Sequence, residues 1–259
     1  MKKNTGVYSA ATGICAAFAF LMAILPIVLI AGCPMGSKNA SGNSDDDLPP
    51  VSEYKLGSSM TIRSQVFVSD PAGAASFSFA GNRSVVPMVF MGKLFDLGGT
   101  GGIKSGRLSF DIGKPDYAWK NIMNLFDGYA ASYEGFSVSP QDAYGAVIRG
   151  FKTSGGGFDG WLSREEQSGD GKISTLEEVY YVYVDKKVKV TGRGKSFTGN
   201  DGSISATQSI NISLEAGWNV LCTKSVSVFE DDRLLSQTVS LSADDPASVK
   251  WSIFELPVP

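Results

Sequence analysis

With 259 residues, 23 basic and 26 acidic side chains and a net charge of −3, the chain is long enough for one medium domain or two small ones and carries no basic footprint for nucleic acid. It contains no histidine, which excludes Ser-His-Asp and Cys-His catalysis and every zinc or copper site built on imidazole. Its three cysteines, Cys15, Cys33 and Cys222, leave no pair for a disulfide once the first two are assigned to the N-terminal segment.

Lys2 and Lys3 supply a positive end, and Ile14 through Ala31 is an almost unbroken apolar run that partitions into a bilayer. Ala31 and Gly32 are small enough to enter a peptidase cleft in extended form, and Cys33 offers a thiol for diacylglycerol. Ile30, Ala31, Gly32 and Cys33 together resemble the lipobox of bacterial lipoproteins. The resemblance implies a signal peptide over residues 1–32, acyl chains such as palmitate on Cys33, and a mature chain that begins at that cysteine. The alternative is an uncleaved anchor, since about 18 apolar residues span a bilayer; Pro26 and the abrupt stop at Cys33 count against it. Either reading leaves the remainder outside the cytoplasm. Removing Lys2 and Lys3 from the 23 basic residues leaves 21 against 26 acidic ones, so the exported part is modestly acidic. Pro34 stands where inner-membrane lipoproteins commonly carry Asp, so outer-membrane delivery is expected where the cell has two membranes.

Residues 33–53 are small, polar and acidic, as expected of a flexible tether. Asp45, Asp46 and Asp47 read as a solvated spacer rather than a cation site, because nothing fixes their geometry. From Tyr54 onward period-2 alternation dominates. Met60, Ile62, Val66 and Val68 share one strand face with Thr61, Arg63 and Gln65 on the other, and Leu108, Phe110 and Ile112 alternate with Arg107, Ser109 and Asp111. Between them, Pro87 marks an edge or bulge and Gly98 to Gly102 reads as a loop. Pro115-Asp116 can start a helix that carries Trp119, Ile122, Met123 and Phe126 on one face. Ser139-Pro140-Gln141-Asp142 has the chemistry of a second short helix start. Ala146 to Phe151 returns to strand.

Six strands are predicted in the C-terminal part: Val179 to Val184, Val188 to Val190, Ser209 to Leu214, Trp218 to Val228, Leu234 to Leu241 and Val249 to Phe254. Turns at 185–187, 200–202, 216–217, 230–232 and 244–246 separate them. The fold expected is mainly β, an antiparallel sandwich or barrel with one or two short helices between its halves. Residues 54–259 form either one domain or two subdomains, 54–115 and 145–259. Cys222 alternates with Val220 and Val226, which predicts a buried, inert thiol.

Several blocks carry a second resemblance. Tyr180 to Gly192, Leu214-Glu215-Ala216-Gly217-Trp218-Asn219, Val249-Lys250-Trp251 and, upstream, Gly101 to Phe110 resemble recurring blocks of lipid-anchored, β-rich surface proteins of spirochaete type. The resemblance implies export, lipidation and β architecture. It brings no catalytic residues.

Three constellations bear on chemistry. Glu166 to Glu177, set against an EF-hand loop, puts oxygen ligands for Ca2+ at Glu166, Ser168, Asp170 and Glu177 and the turn glycine at Gly171. Glu replaces Asp at the first position, and a Tyr/Val strand follows where the motif needs a helix, so an ordinary polar loop competes with calcium binding. Gly192 to Ser196 ends like a phosphate-binding loop but lacks the first glycine, where Lys189 stands. Tyr180, Tyr181, Tyr183, Trp161 and Trp218 offer a sugar-stacking platform or plain strand packing. Glu165-Glu166 and Glu177-Glu178 are sequence neighbours, which says nothing of the through-space separation that glycoside hydrolysis needs. The leading expectation is a non-enzymatic, lipid-anchored binding or structural module at the cell envelope, with an envelope or extracellular ligand as partner. A calcium-binding module and a carboxylate-based hydrolase are the alternatives.

Overall fold

The computed structural model describes residues 55–68, 77–88, 97, 99–115, 120–122, 136–198, 204–231 and 233–257. The lipobox at Ile30 to Cys33, the tether and the turn at 200–202 lie outside the described residues. The strands are β1 (Lys55–Gly57), β2 (Met60–Val68), β3 (Phe77–Ser78), β4 (Arg83–Met88), β5 (Thr100–Lys104), β6 (Arg107–Ile112), β7 (Lys120–Asn121), β8 (Ser137–Ser139) and β9 (Tyr144–Ile148). They continue with β10 (Gly150–Gly155), β11 (Phe158–Gly169), β12 (Ile173–Val184), β13 (Val188–Thr198), β14 (Ile204–Leu214), β15 (Gly217–Glu230), β16 (Arg233–Ser242) and β17 (Trp251–Pro257).

The alternating sequences form strands because one parity can be buried while the other is solvated. In β6, Leu108, Phe110 and Ile112 are buried and Arg107, Ser109 and Asp111 are exposed. In β2, Met60, Ile62 and Val66 point inward, while Arg63 faces outward and its guanidinium meets Asp111 of β6 at 2.7 Å. Seven strands close into a barrel in the order β2, β6, β5, β4, β10, β11, β17 and back to β2. Every pairing is antiparallel except the closing one, in which Trp251, Ser252 and Ile253 run parallel to Val66, Phe67 and Val68. The barrel thus takes strands from both 54–115 and 145–259, and residues 44–259 cluster as one compact unit.

Two expectations change here. Thr100 to Lys104 is strand, not loop: a Cβ at Gly99 would lie 2.2 Å from the Phe110 ring and one at Gly101 2.2 Å from the Ser109 carbonyl. The glycines serve close packing over a core aromatic rather than a turn. Ser139 to Asp142 starts no helix; Ser139 ends β8 and residues 140–143 lead into β9. A stretch this short between two paired strands cannot offset the cost of nucleating a helix. Most of the other predicted helix, from Pro115 to Phe126, lies outside the described residues; of its described portion, Lys120–Asn121 pairs with β9 as strand and Ile122 is helical. Pro87 behaves as an edge residue: β4 pairs with β10 along Ser84 to Met88, but its pairing with β5 involves only Arg83 and Ser84.

A second layer grows from the long strands. Neighbours run β13, β14, β16, β15, β12, with β14 and β16 parallel and the other contacts antiparallel. On its far side β12 pairs with β11 through Ser174 to Val179 and with β9 through Tyr181 to Val184. Val179 to Val184 and Gly217 to Thr223 are buried without interruption. One parity of this pair faces the barrel, where Tyr181 stacks on Trp251 at 6.2 Å and Tyr183 meets Trp218 edge-on at 5.4 Å. The other parity, Val182, Val184 and Leu221, belongs to the same continuous core as Val188, Val190, Ile210, Ile212 and Leu214. An apolar run without alternation is the signature of a strand buried on both faces.

The block Leu214 to Asn219 starts that wall. Gly217 has φ +107°, and a Cβ there would lie 2.3 Å from the Gly57 carbonyl of β1. The Asn219 amide donates to the Glu215 and Gly217 carbonyls at 2.8 and 2.9 Å and its oxygen accepts from the Glu215 N–H at 2.9 Å. Trp218 Nε1 donates to the Gly113 carbonyl at 2.8 Å, which ties the wall to the end of β6. Gly217→Ala should therefore lower stability by more than the ~1 kcal/mol of an ordinary glycine effect, measured by chemical denaturation. An alanine variant as stable as the parent would contradict this role for the turn.

Candidate functional site

The barrel interior is filled. Phe110 and Phe151 meet edge-on at 4.7 Å, and Phe151 lies 5.5 Å from Trp251. An arginine stands near each end. At one, Arg83 forms a two-pronged ion pair with Glu255 and its guanidinium lies 5.0 Å from the Phe79 ring centre and 5.4 Å from that of Phe158. At the other, Arg164 is buried and donates to Asp245 at 2.6 Å, to the Tyr181 hydroxyl at 3.3 Å, and to the carbonyls of Pro246 and Val249 at 3.0 and 3.1 Å. Buried guanidinium groups with this many acceptors pin loops in place.

The residues singled out as calcium ligands lie on a hairpin. Glu166 and Ser168 are in β11, Glu177 is in β12 and Asp170 is in the turn between them. Glu166 stands directly opposite Glu177, and Ser168 opposite Thr175. At the rise of a strand, Glu166 and Asp170 are roughly 13 Å apart along the chain direction, so the set does not wrap one ion as a coiled loop would. Asp170 Oδ1 accepts instead from the backbone N–H groups of Lys172 and Ile173, both at 2.9 Å, and these bonds hold its carboxyl below the usual range. Glu177 is taken up by Lys224 at 2.9 Å. Among the described residues no three Asp, Glu or Cys side chains gather where a metal ion could be held.

The other constellations resolve in the same way. Gly192 to Ser196 is part of β13, an extended strand that makes no phosphate loop. Tyr180, Tyr181, Tyr183 and Trp218 are all buried in the wall. Cys222 is buried there too, and burial pushes its thiol up to about 11. Trp161 alone of the aromatic set is open to solvent, at 42% exposure, and it stacks on Phe254 at 5.2 Å. Val86, Lys152, Trp161 and Phe254 are successive cross-strand neighbours on β4, β10, β11 and β17 and form an outward-facing row. Phe254 was legible as a neighbour for Trp161 only once the register of β11 against β17 was known.

The paired glutamates prove to be spatial pairs across the hairpin: Glu165 opposes Glu178 on one face as Glu166 opposes Glu177 on the other. Burial pushes the Glu165 carboxyl up, and the charge of Glu178 adds to the rise; the Ser163 hydroxyl works the other way. A carboxyl whose folded pKa lies above its unfolded value weakens the fold once pH rises through that range. Glu165→Gln should thus raise Tm near pH 7, by the equivalent of roughly 0.5 kcal/mol for one opposed like-charge pair. The gain should fade below about pH 4, where the wild-type carboxyl is protonated folded and unfolded alike. A gain that grows as pH falls would contradict the assignment.

No protein-family model, no curated protein and no solved structure matches this chain.

Proposed function

We propose that the chain is a lipid-anchored, extracytoplasmic β module that serves binding or structural display at the cell envelope. The observation that carries this reading is the packed barrel: among the described residues, aromatic side chains meet across its interior and an ion-paired arginine lies near each end, while an aromatic row faces outward. The sequence supports the location. Ile30, Ala31, Gly32 and Cys33 close an apolar leader, and a polar stretch separates the cysteine from the first described strand. Acyl chains on Cys33 would hold the module at the bilayer, and stable anchoring of this kind needs more than one chain. The exposed row of Val86, Lys152, Trp161 and Phe254 lies on a rigid sheet, where recognition costs little ordering.

Neither a hydrolase nor a calcium module draws support from the arrangement. The glutamates singled out for either role face each other across a β-hairpin, Glu165 opposite Glu178 and Glu166 opposite Glu177, and Glu177 is ion-paired with Lys224.

The reading is tested by cell fractionation of Cys33→Ala beside the parent. The parent should be found with the membranes, and the variant should leave them. Retention of the variant in the membrane fraction would contradict lipid anchoring through Cys33 and favour the uncleaved leader.

A further inference from the structure

The outer face of the barrel carries an aromatic platform with a hydrogen-bonding border. Trp161 and Val86 stand in its outward row at 42% and 41% exposure, with Lys152 of β10 between them. Phe254 covers one side of the indole, its ring centre 5.2 Å away and the ring planes 26° apart, so the open surface is the opposite side and the ring edge. That contact also holds the ring in place. Both aromatics stand on paired strands whose inner residues, Leu162 and Ile253, are buried in the core.

The border is polar and balanced in charge. Lys152 lies directly opposite Trp161, and its ammonium approaches the Asp159 carboxylate to 3.9 Å, with the two side chains 44% and 51% exposed. This is an ion pair too long for a hydrogen bond, so the donor and the acceptor are not spent on each other. Ser84 and Ser154 lie level with Asp159 on one flank of the row, and Ser252 lies on the other. One open aromatic face beside a donor, an acceptor and neutral hydroxyls is the complement of a pyranose. Its ring C–H groups form an apolar face, and its neighbouring hydroxyls can accept from an ammonium and donate to a carboxylate.

Size points the same way. Four strands and two residues to either side of the row span roughly 14 Å by 14 Å, on the order of 200 Å², against about 800 Å² per partner in a stable protein complex. We propose that this face binds a β-1,4-linked pyranose chain, with Trp161 stacked on one sugar ring and Lys152 and Asp159 holding its adjacent hydroxyls. Equatorial hydroxyls and β-1,4 linkages keep the chain flat and its C–H groups on the ring faces, which suits a sheet surface; an α-1,4 chain coils away from it. The inference rests on the binding half of the proposed function and gives it a ligand class.

Titration calorimetry of the full chain, in a detergent without a sugar headgroup, tests this with cellohexaose, chitohexaose and maltohexaose. One or both β-1,4 hexamers should bind saturably and maltohexaose should not; the better of the two shows whether the N-acetyl group is read. Trp161→Ala should weaken binding at least about tenfold, whereas Trp161→Tyr, which keeps a stacking face, should retain most of it. Asp159→Ala, at an exposed position, should also weaken binding and serves alone if a thermal melt shows that Trp161→Ala does not fold. Binding should persist near 1 M salt, where charge-driven contacts are screened over about 3 Å. No heat with either β-1,4 hexamer, equal binding of maltohexaose, or affinity unchanged in the folded variants would overturn the proposal. Sedimentation in the same detergent reads the competing occupant: a dimer that Trp161→Ala dissolves would overturn it in favour of a second copy. Absent sugar binding by a chain that still fractionates with membranes through Cys33 would strike the ligand and leave the anchoring intact.

Discussion

Two neighbouring strands buried on both faces hold this molecule together. Along Val179 to Val184 and Gly217 to Thr223 every residue is withdrawn from water, so neither side of the β12/β15 pair can be exposed without loss of apolar contact. The barrel packs on one side through Tyr181, Tyr183 and Trp218, and the layer built from β13 and β14 shares the core on the other. A strand pair in this position must also keep its backbone satisfied at its ends. The hydrogen bonds of Asn219 around the 215–217 turn and of Trp218 to Gly113 meet that requirement where the wall begins.

Charge is arranged around this wall by the same logic. Arg83 and Arg164 are the cations drawn toward the barrel interior, each with a carboxylate and further acceptors or aromatic faces to offset desolvation.

Much of the fold was legible in the sequence because one-sided burial imposes period 2. The faces of β2 and β6, and all six C-terminal strands, follow directly from alternation or from unbroken apolar runs. What stayed hidden was strand formed without apolar residues. Glu166 to Gly169 and Ile173 to Glu177 read as a polar loop because Glu, Ser, Gly and Asp disfavour strands on propensity alone, and here cross-strand pairing with β15 and within the hairpin overrides it. The glycines at 99 and 101 read as a loop because their close approach to Phe110 and Ser109 depends on a partner strand. Register was hidden as well, and the candidate surface depends on it: only pairing shows that Trp161 meets Phe254 and that Glu165 opposes Glu178.

The wall's role is tested most directly by native-state hydrogen exchange at rising denaturant. If β12 and β15 join both layers into one cooperative unit, the amides of Val179 to Val184 and Val220 to Thr223 should exchange only through global unfolding, with protection in β6 and β14 lost in the same transition. Separate transitions, in which β13 and β14 open while the barrel strands keep full protection, would contradict it.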